Sequence, residues 1–137
     1  INQFQIKRYI SIFKKLSKNL NKKFTIGICG IAYKPNAAIT DFSPGLQIFQ
    51  KLVKKNKIIV YDESKILKSI NPKRNFVFNT NLKDFFDKSD FIFVCYKNDK
   101  FKKVQNYKTN KKKIVVDLWN YLKFKDKKII YKALGVS

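Results

Sequence analysis

The sequence predicts an α/β fold: a Rossmann-like, open and mostly parallel sheet with flanking helices, preceded by an amphipathic helix. Three observations lead there. Short β-branched and aromatic runs alternate with stretches of helical periodicity. The run Phe91 to Tyr96 is apolar throughout, as a central parallel strand buried on both faces requires, and Lys113 to Asp117 reads as another buried strand. Finally, Gly30 closes the first apolar run ahead of a polar loop that ends at Ser43-Pro44, giving the strand, loop and helix order of a βαβ unit.

In chain order, Phe4, Ile6, Tyr9, Ile10, Ile12, Phe13 and Leu16 recur mostly at three- and four-residue steps, so Asn2 to Leu20 reads as an amphipathic helix ending near Asn19 to Asn21. Its broad apolar stripe suggests a packing partner beyond this domain. Phe24 to Gly30 is the first strand. Ser43 as N-cap and Pro44 in the first turn open a helix through about Lys55. Lys57 to Tyr61 is a strand ending at Asp62, and Phe76 to Phe78 a short one. Thr80 is placed to cap a helix through about Lys88, with Leu82, Phe85 and Phe86 inward. Asn98 to Val104 follows the Phe91 to Tyr96 strand as a short helix. Lys113 to Asp117 and Lys128 to Tyr131 complete the pattern β-α-β-β-α-β-α-β-β, with ligands expected at the carboxyl ends of the strands.

With 137 residues, 45% hydrophobic and 15% aromatic, the chain is sized for one globular domain. No apolar run reaches the roughly 20 residues that span a bilayer. Ile1 to Leu20 is broken by Lys and Asn, and no small-residue cleavage site follows it, so neither a membrane partner nor a signal peptide is expected. The start at Ile1 and the lack of any Met suggest a fragment of a longer protein. Cys29 and Cys95 sit inside apolar runs, which favours reduced, buried thiols and a cytoplasmic location. The absence of His excludes a zinc site or a His-based triad on ligand count.

The net charge of +22 raises nucleic acid as a partner, because Lys and Arg neutralise phosphates. The kind of base argues the other way. Only Arg8 and Arg74 carry the bidentate fork suited to phosphates and guanine edges, and the lysines are spread over every segment. A solvated, lysine-biased surface is the favoured reading over dedicated nucleic-acid binding, with non-specific adhesion to polyanions expected at low salt.

The loop after the first strand does not have the form of a dinucleotide turn. Gly27 and Gly30 miss the Gly-x-Gly-x-x-Gly spacing, and the helix cap at Ser43 comes 13 positions after Gly30. Asp62 stands where a ribose-binding acid would stand. Without the glycine fingerprint, a turn or cap role is favoured for it.

Gly30-Ile31-Ala32-Tyr33-Lys34-Pro35-Asn36, followed by Ser43-Pro44, resembles the Gly-Leu-Ala-Phe-Lys-Pro-Asn-Thr-Asp-Asp-x-Arg-x-Ser-Pro signature that opens the last domain of the UDP-glucose/GDP-mannose dehydrogenase family. Val60-Tyr61-Asp62, the stretch Asn81 to Asp90, Lys100-Phe101 and Val116-Asp117-Leu118-Trp119-Asn120 resemble later parts of that domain, so the likeness covers nearly everything after Lys23. It implies that residues 1–21 are the end of the central linker helix, which forms the dimer core in that family. Residues 22–137 would be the C-terminal nucleotide-sugar-binding domain.

Members of this family oxidise the C6 hydroxyl of a UDP- or GDP-sugar to a carboxylate with NAD, through intermediates on a catalytic cysteine, and so supply polysaccharide precursors. The resemblance places NAD and that cysteine in an N-terminal domain upstream of this chain, and it implies a homodimeric parent. Neither Cys29 nor Cys95 has the catalytic context, so the domain alone is expected to bind substrate without turning it over. The resemblance gives Lys34 to the diphosphate or sugar, Tyr33 to the pocket wall and Trp119 to a place where the family has a late arginine. At the signature's Thr-Asp-Asp-x-Arg this chain has Ala37, Ala38, Ile39, Thr40 and Asp41. A divergent dehydrogenase domain, an inert scaffold and an assembly module of the same fold therefore all stand as readings.

Overall fold

The computed structural model describes residues 3–21, 23–31, 43–62, 76–79 and 81–134. Strands β1 (Thr25–Cys29), β2 (Lys57–Tyr61), β3 (Phe76–Asn79), β4 (Phe91–Val94), β5 (Lys113–Asp117) and β6 (Ile129–Ala133) form one sheet in the order β3-β2-β1-β4-β5-β6. Every neighbouring pair is parallel, so the sheet expected to be mostly parallel is entirely so among the described residues. The strand order reverses between β1 and β4, the point at which open α/β sheets leave a crevice at their carboxyl edge.

Alternation of side chains along each strand divides the core into two layers. Ile26, Ile28, Ile58, Val60, Phe91, Phe93, Ile114 and Val116 face α1 (Gln3–Leu16) and α2 (Pro44–Leu52). Ile59, Tyr61, Ile92, Val94 and Val115 face α3 (Leu82–Lys88) and a 3-10 helix over Asp99–Asn106. This double burial is why the strands read as continuous apolar runs. The two cysteines fall on opposite sides, Cys29 in the α3 layer and Cys95 in the α1 and α2 layer, and both are buried thiols that form no disulfide.

Part of the wide α1 stripe is covered within the domain. Ile6, Tyr9 and Phe13 are buried against the sheet, and Ile10, Ile12 and Leu16 pack on the same core while partly exposed. Pro44 opens α2 as expected, but the Ser43 side chain makes no capping hydrogen bond; its carbonyl accepts from the Gln47 N–H instead. The cap of α3 is Asn81, whose Oδ1 accepts the Asp84 N–H at 2.9 Å. Thr80, the expected cap, lies outside the described residues. The helix expected over Asn98 to Val104 is wound as a 3-10 helix, begun by the Asn98 side chain accepting from Lys100 N–H.

Lys113 is a buried charge within β5, 1% exposed. Its ammonium donates to the carbonyls of Phe86, Asp87 and Ser89 at the end of α3, and lies 4.8 Å from the Phe86 ring centre. Burial first, and then the nearby Lys111 ammonium, pull it down to about 8. Elsewhere the acids are spent on local work. Asp84, Asp87, Asp90 and Asp99 each hold one lysine at the surface, where such pairs contribute little. Among the described residues no helix is long and apolar enough to cross a membrane.

Candidate functional site

At the carboxyl edge the chain leaves β1 through Gly30, whose φ of +94° lies in the left-handed region that a side chain disfavours. The Gly30 N–H donates to the Tyr61 carbonyl at the end of β2, 2.8 Å away. A Cβ on Gly30 would lie 2.0 Å from the Tyr96 ring, so the ring occupies the space that a side chain would need. The next amide, Ile31 N–H, donates to Asp62 Oδ2 at 2.7 Å, and the Tyr96 hydroxyl donates to Asp62 Oδ1 at 3.3 Å. Both partners are buried, Asp62 being 3% and Tyr96 1% exposed.

The segment returns to the same spot. Gly45, in the first turn of α2, stacks on Gly30 so closely that a Cβ there would lie 2.2 Å from the Gly30 carbonyl oxygen. The connection that carries the sequence signature thus begins and ends at one point above β1, between β2 and β4. Residues 32–42, and with them Tyr33 and Lys34, lie outside the described residues.

Asp62 therefore does what a turn-stabilising acid does, across strands: its two oxygens receive Ile31 N–H and Tyr96 O–H. Both oxygens are thus engaged by the fold, as the turn role requires. Gly27 serves close packing, since a Cβ there would meet Ser89 and the Phe85 ring, while Gly30 is filled by Tyr96 and Gly45 by the Gly30 backbone. Each of the three glycines among the described residues is thus filled by packing.

The end of β5 is organised by Asp117, which is fully buried. Its Oδ1 accepts Trp119 N–H at 3.0 Å, and its Oδ2 accepts Tyr121 N–H, Leu122 N–H and the Tyr131 hydroxyl at 2.8, 2.9 and 2.8 Å. One carboxylate thereby folds the whole turn after β5, in which Asn120 takes a left-handed φ of 53°. Trp119 is placed beside the end of β4, and its indole N–H donates to the Cys95 carbonyl at 2.9 Å. Its ring is half-buried against the α1 and α2 core layer. Of the three residues expected to contact substrate, Trp119 is the one among the described residues, and it stands at the carboxyl edge.

Burial first, and then the carboxylates of Asp117 and Asp62, push the Cys95 thiol well above its ordinary range, so it stays protonated. Burial and Asp62 likewise raise the Tyr96 phenol. Tyr96 and Asp117 were not singled out from sequence, because the Tyr96 partners lie after β1 and β2 and the Asp117 partners include Tyr131 of β6. Their signal is position: each sits at the carboxyl end of a buried apolar run. Among the described residues two open hollows stand out, one of about 460 Å³ between α3 and the 3-10 helix, with Lys83, Lys100, Lys103, Tyr107 and Tyr61, the last residue of β2, in its wall. The other, about 470 Å³, opens at the amino edge and is lined in part by Lys23, Lys55 and Lys57.

Comparison with known proteins agrees with this architecture. A search of curated proteins by sequence finds no match. Among solved structures, a UDP-glucose dehydrogenase from Pyrobaculum islandicum superposes with a TM-score of 0.69 at 18% identity, covering 97% of this chain and 30% of that one. A UDP-N-acetyl-mannosamine dehydrogenase from Staphylococcus aureus gives 0.69 at 16% identity, covering 95% and 30%. A GDP-mannose dehydrogenase from Pseudomonas aeruginosa gives 0.69 at 13% identity, covering 95% and 31%. At these identities the likeness establishes the fold, and the chain spans about three-tenths of the length of each of these proteins. The model of the UDP-glucose/GDP-mannose dehydrogenase family, UDP binding domain, matches residues 27–124, from the middle of β1 past the turn that Asp117 organises. The chain belongs to that family, as its UDP binding domain.

Proposed function

We propose that this domain binds a UDP- or GDP-sugar at the carboxyl ends of β1, β4 and β5, as the substrate-binding part of an NAD-dependent nucleotide-sugar 6-dehydrogenase. The observation that carries the proposal is the anchoring of the signature segment, at Gly30-Ile31 and at Ser43 to Gly45, on the switch point of a family-matched sheet. In this proposal Lys34 offsets diphosphate charge, Tyr33 lines the pocket and Trp119 offers the exposed part of its ring to a base or sugar face. NAD, the catalytic cysteine and the oxidation of the sugar C6 hydroxyl would belong to an N-terminal domain of the parent. That parent would pair as a homodimer through the helix that α1 ends, in the cytoplasm.

One observation favours the scaffold reading. Trp119, where the family has an arginine, gives its only side-chain donor to the Cys95 carbonyl, and the signature's acids and arginine are replaced between Asn36 and Ser43. Titration of UDP- and GDP-sugars, followed by Trp119 fluorescence, separates the two readings. Substrate binding predicts a saturable change in emission, with affinity weakened about tenfold or more by Lys34→Ala, the usual scale for losing a charged contact to phosphate. A folded chain whose emission ignores millimolar ligand would remove direct binding and leave the scaffold.

A further inference from the structure

We propose that Asp62 and Tyr96 form a positioning clamp that sets the exit direction of the signature segment, and that nucleotide-sugar affinity depends on this clamp although neither residue touches the ligand. The inference rests on the binding reading above. Its geometry is independent of that reading.

Ligand groups carried on a connecting segment bind better when its ends are fixed, because ordering chain on binding costs conformational entropy. The structure removes much of that cost at the two ends. At the exit, the left-handed turn at Gly30 is backed by the Tyr96 ring, and the first amide beyond it, Ile31 N–H, is taken by Asp62 Oδ2. The second oxygen of the same carboxylate receives the Tyr96 hydroxyl, so ring and acid hold each other as well as the backbone. At the return, Gly45 rests on the Gly30 carbonyl, so the exit fixes the entry point of α2 too. The parts come from β1, from the residue after β2 and from the residues after β4, which makes the clamp a product of the strand order. A hydrogen bond from an amide to a carboxylate out of contact with water is among the stronger kinds, and leaving Ile31 N–H buried without it is costly.

The test is amide hydrogen exchange at Ile31, combined with UDP-sugar titration, on the whole 137-residue chain. Asp62→Ala is expected to speed Ile31 exchange about tenfold more than it speeds exchange at Phe93 and Val115 in the sheet core, and to weaken UDP-sugar affinity about tenfold at a temperature where the variant is folded. Asp62→Asn keeps an acceptor for Ile31 N–H and is expected to restore most of both. If Asp62→Ala does not fold, Tyr96→Phe serves: it keeps the ring against Gly30, loses only the hydroxyl, and is expected to weaken affinity about threefold. Exchange at Ile31 that merely follows the core, or exchange that rises while affinity stays at the wild-type value, overturns the positioning role. If the wild-type chain binds no nucleotide sugar, the binding reading fails on its own, and Ile31 exchange alone then decides whether the clamp holds the segment.

Discussion

Asp117→Ala is expected to destabilise the domain by about 3–5 kcal/mol, the range for breaking a buried hydrogen-bond network. The carboxylate receives three backbone amides and one phenol, and no water reaches it. Removing it leaves Trp119 N–H, Tyr121 N–H, Leu122 N–H and the Tyr131 hydroxyl without that acceptor, at once and in one turn. Asp117→Asn should rescue little, because its amide nitrogen would point donors at donors. Urea unfolding followed by Trp119 emission measures the loss. Since Trp119 is held by this carboxylate and by the Cys95 carbonyl, its emission should also move toward the solvated position before global unfolding. A loss below about 1 kcal/mol would mean that the turn after β5 has other supports.

The second large effect is expected at Gly30. Any L-residue placed there meets a φ of +94° and, at the same time, the Tyr96 ring 2.0 Å from its Cβ. The backbone term costs about 1–2 kcal/mol and the overlap about 1–3 more, so Gly30→Ala should cost about 3 kcal/mol or more. Thermal unfolding would then show a fall of about 10 °C or more. Ala is the mildest case; Val should prevent folding altogether. A Gly30→Ala domain with an unchanged Tm would mean that the turn is not left-handed or that Tyr96 moves aside at no cost.

Much of the fold was legible because of double burial. Ile26, Ile28, Phe91 and Phe93 face one helix layer while Ile92 and Val94 face the other, so these strands carry unbroken apolar runs that no surface strand would show. Caps were less legible. Thr80 and Asn81 are adjacent and both suited to start α3, and the described choice rests on one bond from Asp84 N–H to Asn81. The width of the α1 stripe suggests a partner beyond this domain, but periodicity gives the width of an apolar face and not the identity of what covers it; Ile10, Ile12 and Leu16 pack on this domain's own core and stay partly exposed.

The site divides along the same line. Gly30 and Pro44 announce themselves by residue type and spacing. The role of Asp62 was within reach once the dinucleotide fingerprint failed, but its partners were not: Ile31 and Tyr96 reach it only because β1 and β2 are neighbours and β4 lies on the other side of β1. Trp119 was visible as a replacement for an arginine. That its indole N–H would be tied to Cys95 depends on β4 and β5 being paired, which is a property of the sheet and not of the local sequence.

Backbone amide shifts during titration with UDP-glucose provide the most direct measurement. Binding at the carboxyl edge predicts saturable shifts concentrated at Gly30 and Ile31, Gly45, Cys95 and Tyr96, and Leu118 to Asn120, with the amino edge around Thr25 and Lys57 unmoved. Shifts centred on Lys23, Lys55 and Lys57, or spread thinly over exposed lysines and abolished by salt, would instead show a basic surface attracting an anion and would contradict a nucleotide-sugar site at the ends of the strands.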